Sequence, residues 1–536
     1  MAHSNQHHFG KTERPLMTQA SARIGIDVGG TNTDAVILVG TEVLASTKVP
    51  TTKDIQSGVA KAAAAVMEEA GLSVEHIQEV MIGTTQFTNA FIERKKLTPI
   101  CSIRIALPAT TSVRPFTDWP EDLAAMIGQH SFLVGGGHEF DGRKIAELDE
   151  GEVARIAKAA AQKGISEFAI TSVFSPVDKF FEERAAAVVL ANCPQANITL
   201  SSEVGRLGLI ERENASNMNA SLIAFANDVI SGFKQALEHL QIQAPFYISQ
   251  NDGTLMNEDY IRRYPVLTFA SGPTNSMRGA AYLTKLQNAI VVDIGGTTTD
   301  VGVLINGFPR ESSIPVDIGG VRTNFRMPDI ISIGLGGGSI VRSTEDGEIK
   351  IGPDSVGYEL TEKALVFGGD VLTTTDIIVA AGRCEIGDPK LVSHLDKDVV
   401  DAAEAEIHRM IETIVDRMKT SKSDMPVILV GGGSVLVSRP LRGASEVIAP
   451  SNSGVANAIG AAKSQIGSEI DKIFSYTELG REPSIELAKT QASQSCEAAG
   501  AEPDSIEIVD VDEIPLSYLP GGAVRIRVKA VGDLRR

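Results

Sequence analysis

Cysteine is scarce in this chain, with four residues in 536: Cys101, Cys193, Cys384 and Cys496. They lie far apart with no C-x-x-C pair, which argues against a disulfide framework or a zinc ribbon. They read instead as small hydrophobes in a reducing, cytoplasmic setting. Basic residues are also in deficit, with 49 Lys and Arg against 68 Asp and Glu, a formal net charge of −19. A field of that sign repels a phosphate backbone, so broad nucleic-acid binding is disfavoured and any phosphate must be held locally. Long apolar runs are missing: no stretch reaches the ~18 residues of a membrane span. The opening MAHSNQHHFGKTERPLMTQASA is polar and lacks the apolar core of a secretory signal. Residues 1–20 are expected to be a flexible tail, with His3, His7 and His8 solvated in it. The single tryptophan, Trp119, lies in FTDWPEDL and is expected to pack a loop.

What remains is a globular composition, 43% hydrophobic and 22% charged, in a chain long enough for three or four domains. Short β-branched runs alternate with Ala-rich helical stretches such as SGVAKAAAAVMEEAGL (57–72) and KFFEERAAAVVLANC (179–193). That alternation implies an α/β fold. The last seventy or so residues differ. IELAKTQASQSCEAAG reads as a helix, and DSIEIVDVDEIPLSY and AVRIRVKAVGD as strands set apart by Pro520, Gly521 and Gly522, giving a small αββ segment.

The most informative feature is an internal echo. IDVGGTNTDAV (26–36) and VDIGGTTTDVG (292–302) place Asp27/Asp293, Gly29/Gly295, Gly30/Gly296, Thr31/Thr297, Thr33/Thr299 and Asp34/Asp300 at the same offsets, 266 residues apart. The spacing implies two related lobes: residues 21–205, then 206–470, followed by the αββ segment over 471–536. A Gly-Gly turn between strands brings backbone amides close to a ligand, and successive amides make a concave anion site. Gly29, Gly30, Thr31, Asn32 and Thr33 on one hairpin, and Gly295, Gly296, Thr297 and Thr298 on the other, are therefore expected to clamp phosphates. Thr299 is a further hydroxyl of the second hairpin. Carboxylates repel phosphate, so Asp27 and Asp293 are expected to hold Mg2+ or to orient a nucleophile. A third turn after PVILV, Gly431-Gly432-Gly433-Ser434, offers bare backbone to a purine or ribose. GLGGGS (334–339) is compatible both with a lining of the clamp and with a buried packing turn.

Several loops carry further candidates. GTTQFTNA (83–90) offers Thr84, Thr85, Thr88 and Asn89 as donors to a substrate carbonyl or a γ-phosphate, or is an ordinary helix start. Arg278 follows SGP and either neutralises a transferring phosphoryl group or is a solvated arginine. GGGHEFDGR (135–143) holds His138, Glu139, Asp141 and Arg143, a general base or metal ligand set against a solvated hairpin turn. Glu211 and Arg212 read as a structural ion pair at a helix start.

DVGGTNTD, DIGGTTTD and VGGGS, in that order, resemble the two phosphate motifs and the adenosine motif of the actin/Hsp70/sugar-kinase superfamily. GTTQFTNA, ERENASNMNASL, SQNDGTLM, TFASGPTNSMRGA and PDIISIGLGGGSIV are similar, in order, to segments of the hydantoinase A/5-oxoprolinase family, from about Arg23 to about Gly467. The resemblance implies two RNase H-like lobes with a nucleotide cleft between them. It also implies ATP- and Mg2+-dependent opening of a cyclic amide, a hydantoin, oxoproline or related lactam. In such a reaction the amide oxygen is phosphorylated before water attacks, often with a separately encoded second subunit in a hetero- or homo-oligomer. The alternatives it leaves are a subunit of an ATP-dependent ketone carboxylase and a non-hydrolytic actin-like activator. Against the family pattern, the sequence lacks the long C-terminal extension of larger members, has GGGS where many relatives have GGAG, and carries Arg278 where small apolar residues are usual. These features suit the shorter, two-subunit members.

Overall fold

The computed structural model describes residues 21–29, 32–51, 55–312, 314–344, 348–517, 519 and 521–535. The expected tail with its histidines, Gly30, Thr31 and Pro520 lie outside the described residues.

The echoed segments are the two halves of a structural repeat. In the first lobe, strands Ala22–Val28 and Asn32–Val39 pair antiparallel with Asp27 opposite Asp34. In the second, Ala289–Ile294 and Thr299–Ile305 pair antiparallel with Asp293 opposite Asp300. Each first strand also has a parallel neighbour, Ile77–Thr84 in one lobe and Met425–Val430 in the other. These strands are apolar on both faces because each sheet is covered on both sides. Ile24, Ile26 and Ile37 pack against Val59, Ala62 and Val66 of helix Ile55–Ala70. Val36 and Leu38 pack on the other face against Ala458, Ile459 and Ala462 of helix Ala456–Lys463. In the second lobe Val292 and Ile294 cluster with Ile407 and Ile411 of helix Lys397–Met418, and Val291 and Val430 with Met277 and Ala280 of helix Ser271–Thr284.

Helices Ser271–Thr284 and Ala456–Lys463 lie between the lobes and touch through their backbones. A Cβ at Gly279 would sit 1.9 Å from the Ala456 carbonyl oxygen, and one at Gly460 1.8 Å from that of Asn275. Only glycine fits at either position.

Strand pairing runs across the boundaries drawn from the sequence. Phe246–Ser249, Thr254–Met256 and Gln465–Ser475 join the first lobe's sheet, and the second lobe's sheet is confined to residues 289–448. The C-terminal helix Arg481–Ala498 and strands Glu507–Pro515 and Ala523–Gly532 form as expected, but the strands extend the first sheet to nine. Within the span expected to be a single N-terminal lobe, Cys101–Leu107, His130–Gly135, Glu167–Ser172 and Asn197–Leu200 make a separate four-stranded parallel sheet. Pairing of this kind joins strands distant in sequence, so no local pattern announces it. Among the described residues no helix is long and apolar enough to cross a membrane.

Replacing Gly460 by Ala forces the two central helices apart. The expected cost is roughly 1–3 kcal/mol, as for overpacking of a tight core, seen as a lowered melting temperature in scanning calorimetry.

Candidate active site

The two hairpin turns close in the same way. The Gly29 amide donates to the Asn32 carbonyl at 3.0 Å, and the Gly295 amide to that of Thr298 at 2.9 Å. Around the second turn the carbonyls are tied back. Those of Gly295 and Gly296 accept from the Gly337 and Gly338 amides at 3.0 and 2.7 Å, and that of Ile294 from the Gly433 amide at 2.7 Å. GLGGGS is thus a packing turn behind the hairpin, and a Cβ at Gly336 would lie 2.5 Å from the Thr297 nitrogen. Gly296, Thr297 and Thr298 are exposed, and among the described residues their amides donate to no acceptor. Such a row of free amides is suited to an anion. Thr33 and Thr299 serve the hairpins themselves. The buried Thr33 hydroxyl lies 3.1 Å from that of Thr51, which donates to the Gly29 carbonyl, and Thr299 donates to the Leu335 carbonyl at 2.6 Å.

Asp27 and Asp293 are the last residues but one of the two first strands, and each carboxylate abuts a glycine of a neighbouring segment. A Cβ at Gly83 would lie 2.2 Å from Asp27 Oδ1, and one at Gly431 2.4 Å from Asp293 Oδ1. Asp27 Oδ1 accepts from Asn275 Nδ2 at 3.2 Å. Its Oδ2 accepts from Asn457 Nδ2 at 3.0 Å, a nitrogen that also donates to Asp34 Oδ2 at 3.0 Å. Ser276 faces the Asp293 carboxylate and lowers its proton affinity. Consecutive residues of one central helix therefore hold one carboxylate in each lobe. Burial pushes Asp27 up to about 6, opposed by the Asn275 hydrogen bond and reinforced by Asp34. Burial likewise pushes Asp293 up to about 7, opposed by Ser276 and reinforced by Asp300 and by Asp27. Two hard oxygen donors in a desolvated site, one of which raises the proton affinity of the other, fit Mg2+, whose charge relieves the repulsion.

The third turn divides its labour. Gly431 has φ +83°, and a Cβ at Gly433 would lie 2.6 Å from Ile294 Cγ2, so both are fixed against the second hairpin. Gly432 between them is exposed with open space around it. Ser434 begins the short turn Ser434–Leu436, its amide bonded to the Gly431 carbonyl. Thr84 lies opposite Val28 at the end of the strand beside Asp27, and its carbonyl accepts from the Ser271 hydroxyl at 3.2 Å. Thr85 follows at the start of helix Gln86–Ile92. The structure thus sets both threonines at the end of the strand beside Asp27, and the third turn beside Asp293.

Arg278 is not brought to the carboxylates. Its guanidinium stacks 3.8 Å from the centre of the Phe308 ring and donates to the Gly307 carbonyl at 2.7 Å, at the far end from Asp300 of the strand Thr299–Ile305. His138 is buried against Phe181, with Nε2 3.5 Å from Asp178, inside the four-stranded layer, and Glu139 closes a turn on Arg143. Arg212 is a buried bracing group bonded to Ser201 Oγ and the Ser172 carbonyl, while Glu211 pairs with Arg322. Trp119 packs against Phe116 and Phe91 and donates to Asn214. Sequence reasoning missed Asn275, Ser276, Asn457 and Lys48. The available signal was the small polar pair Asn275-Ser276 inside an otherwise compact helix, where buried polar groups need partners.

Two outcomes follow from this geometry. In the empty protein Asp293 favours its proton more in the folded than in the unfolded state, so ionising it removes stability as pH rises from about 4 to about 7. Asp293→Asn, nearly isosteric and uncharged, is expected to raise the melting temperature at pH 8 by roughly 1–4 °C, with the gain shrinking toward pH 5 in scanning calorimetry. Gly432→Val fills the open face of the third turn, so nucleotide affinity by titration calorimetry should fall while the melting transition stays intact.

Comparison with known proteins supplies the family. Residues 23–193 match the hydantoinase/oxoprolinase N-terminal region, and residues 212–388 match hydantoinase/oxoprolinase. The chain is 26% identical over 384 residues to the caprolactamase subunit alpha of Pseudomonas jessenii, covering 68% of this chain and 55% of that one. It is 25% identical over 395 residues to the acetophenone carboxylase gamma subunit of Aromatoleum aromaticum, covering 67% and 53%. The match thus spans about half the length of these curated relatives. The crystal structure of the ATP-dependent caprolactamase from Pseudomonas jessenii superposes with a TM-score of 0.77 at 19% identity, covering 96% of this chain and 88% of that chain. The paired hairpins, the helices crossing between them and these matches together place this actin-like α/β chain in the hydantoinase/oxoprolinase family.

Proposed function

We propose that the chain binds Mg2+·ATP between its lobes and phosphorylates the oxygen of a cyclic amide, a hydantoin, oxoproline or related lactam, for ring opening by water. The observation that carries this reading is the pair Asp27 and Asp293, at the same register of the two glycine hairpins, with Asn275 of a central helix bonded to the first and the next residue, Ser276, facing the second. An unstrained amide is a poor electrophile, and phosphorylating its oxygen creates a leaving group at neutral pH. The free amides of Gly296, Thr297 and Thr298 hold phosphate oxygens, Gly29 and Asn32 frame the facing turn, and open Gly432 receives the nucleoside. Thr84 and Thr85 sit beside the first hairpin, where a substrate oxygen would approach. Bound at Asp27 and Asp293, Mg2+ supplies charge to the phosphates.

Hydrolysis of the phosphorylated amide is a separate task that needs a base and a dry chamber. His138 and Glu139, the candidate bases of the sequence, lie in the four-stranded layer and away from the two acids. The matches to a caprolactamase subunit alpha and a carboxylase gamma subunit support a partner subunit for that step. The carboxylase match also favours a second reading, phosphorylation in an ATP-dependent ketone carboxylase, which bicarbonate-dependent ATP turnover would identify.

The test is phosphate release from ATP, screened over hydantoins, lactams and ketones with and without the product of a neighbouring gene. Asp27→Ala and Asp293→Ala are each expected to lower turnover by at least ~100-fold. The chain alone should bind ATP without ring opening. Wild-type turnover in either variant would remove the two-lobe clamp, and ring opening at roughly 1 s⁻¹ or faster by the chain alone would remove the partner.

A further inference from the structure

The two repeats share the bond that closes each turn, the carboxylate register and a glycine against the carboxylate, yet differ in charge on the third strand. In the first lobe, strand Glu42–Pro50 places Lys48 opposite Asp34. In the second, strand Ile330–Ile333 places Ser332 opposite Asp300. Lys48 Nζ lies 2.5 Å from Asp34 Oδ1, whereas the Ser332 hydroxyl donates to Asp300. At this register position the first lobe thus carries a cation where the second carries a neutral hydroxyl.

That cation is tied to the site. Asp34 is joined through Asn457 to Asp27, and the charge of Lys48 reaches both Asp27 and Asp293. The Lys48 side chain is 42% exposed, while Asp34 is almost wholly buried. A half-exposed lysine has a long stem that can swing, and its ammonium is a point charge suited to phosphate. The third glycine turn lies against the second hairpin, so on the ATP-site reading above the nucleoside end sits in the second lobe and the terminal phosphate faces the first.

We propose that Lys48 rests on Asp34 in the empty cleft and moves to the terminal phosphoryl group when ATP binds. The proposal rests on the ATP-site reading above. During transfer the bond from the bridging oxygen to the terminal phosphorus breaks, and that oxygen leaves with the electron pair as part of ADP. A new bond forms from the acceptor oxygen to phosphorus. Lys48 stays protonated throughout, supplies charge, and moves no proton.

The test compares ATP with ADP by titration calorimetry in excess Mg2+. Lys48→Met should weaken ATP by roughly 10-fold or more, the range of a charge-assisted hydrogen bond, while ADP changes by less than about 3-fold. Lys48→Arg should keep the discrimination. The double variant Lys48→Met with Asp34→Asn restores charge balance in case the single variant unfolds, and should also lose the ATP preference. Equal weakening of both nucleotides, or an unchanged ATP affinity in folded protein, overturns the role of Lys48. Failure of the unsubstituted chain to bind either nucleotide overturns the ATP-site reading instead.

Discussion

At Gly279 and Gly460 the space a side chain would need is taken by the backbone oxygens of Ala456 and Asn275. This backbone contact between the two central helices is what the cleft depends on. With any side chain at either position the helices would stand farther apart. Asn275 and Asn457 would then no longer meet on the Asp27 carboxylate from opposite sides. Close helix packing is ordinarily a matter of core stability. Here it also sets the spacing between two lobes that each contribute one acid.

The electrostatics of that spacing are unfavourable by themselves. Asp27, Asp34, Asp293 and Asp300 converge in a partly desolvated region, and the proton affinities of Asp27, Asp293 and Asp300 are raised. Neutral amide and hydroxyl donors, with Lys48 at the rim, offset the charge without removing it. A site in this condition carries carboxylate repulsion that nothing in the protein removes, and this holds back stability. GLGGGS and Gly433 engage the hairpin carbonyls from behind, while among the described residues the amides of Gly296, Thr297 and Thr298 donate to no acceptor.

The surrounding elements explain why other candidates lie elsewhere. Arg278 is three residues beyond Asn275, yet its guanidinium is captured by Phe308 and Gly307, where ring and carbonyl replace its water. The His138 cluster belongs to a parallel sheet whose strands pair only among themselves. Its turn chemistry, Asp141-Gly142 closing on Arg143, is that of an ordinary hairpin.

The sequence by itself determined the repeat, because a strand, a tight glycine turn and a second strand are local features. Asp27 opposite Asp34 and Asp293 opposite Asp300 follow from hairpins whose register the turn sets. The open Gly432 and the C-terminal αββ elements were legible for the same reason. Only the tertiary structure decided which strands share a sheet: Gln465–Ser475 joins the first lobe although it follows the last strand of the second. It also decided that Thr33 and Thr299 face inward, that Arg278 is withdrawn, and that Asn275, Ser276, Asn457 and Lys48 converge on the acids. Those contacts join residues as far as 430 positions apart. No local propensity records them, because they depend on two helices meeting without side chains between them.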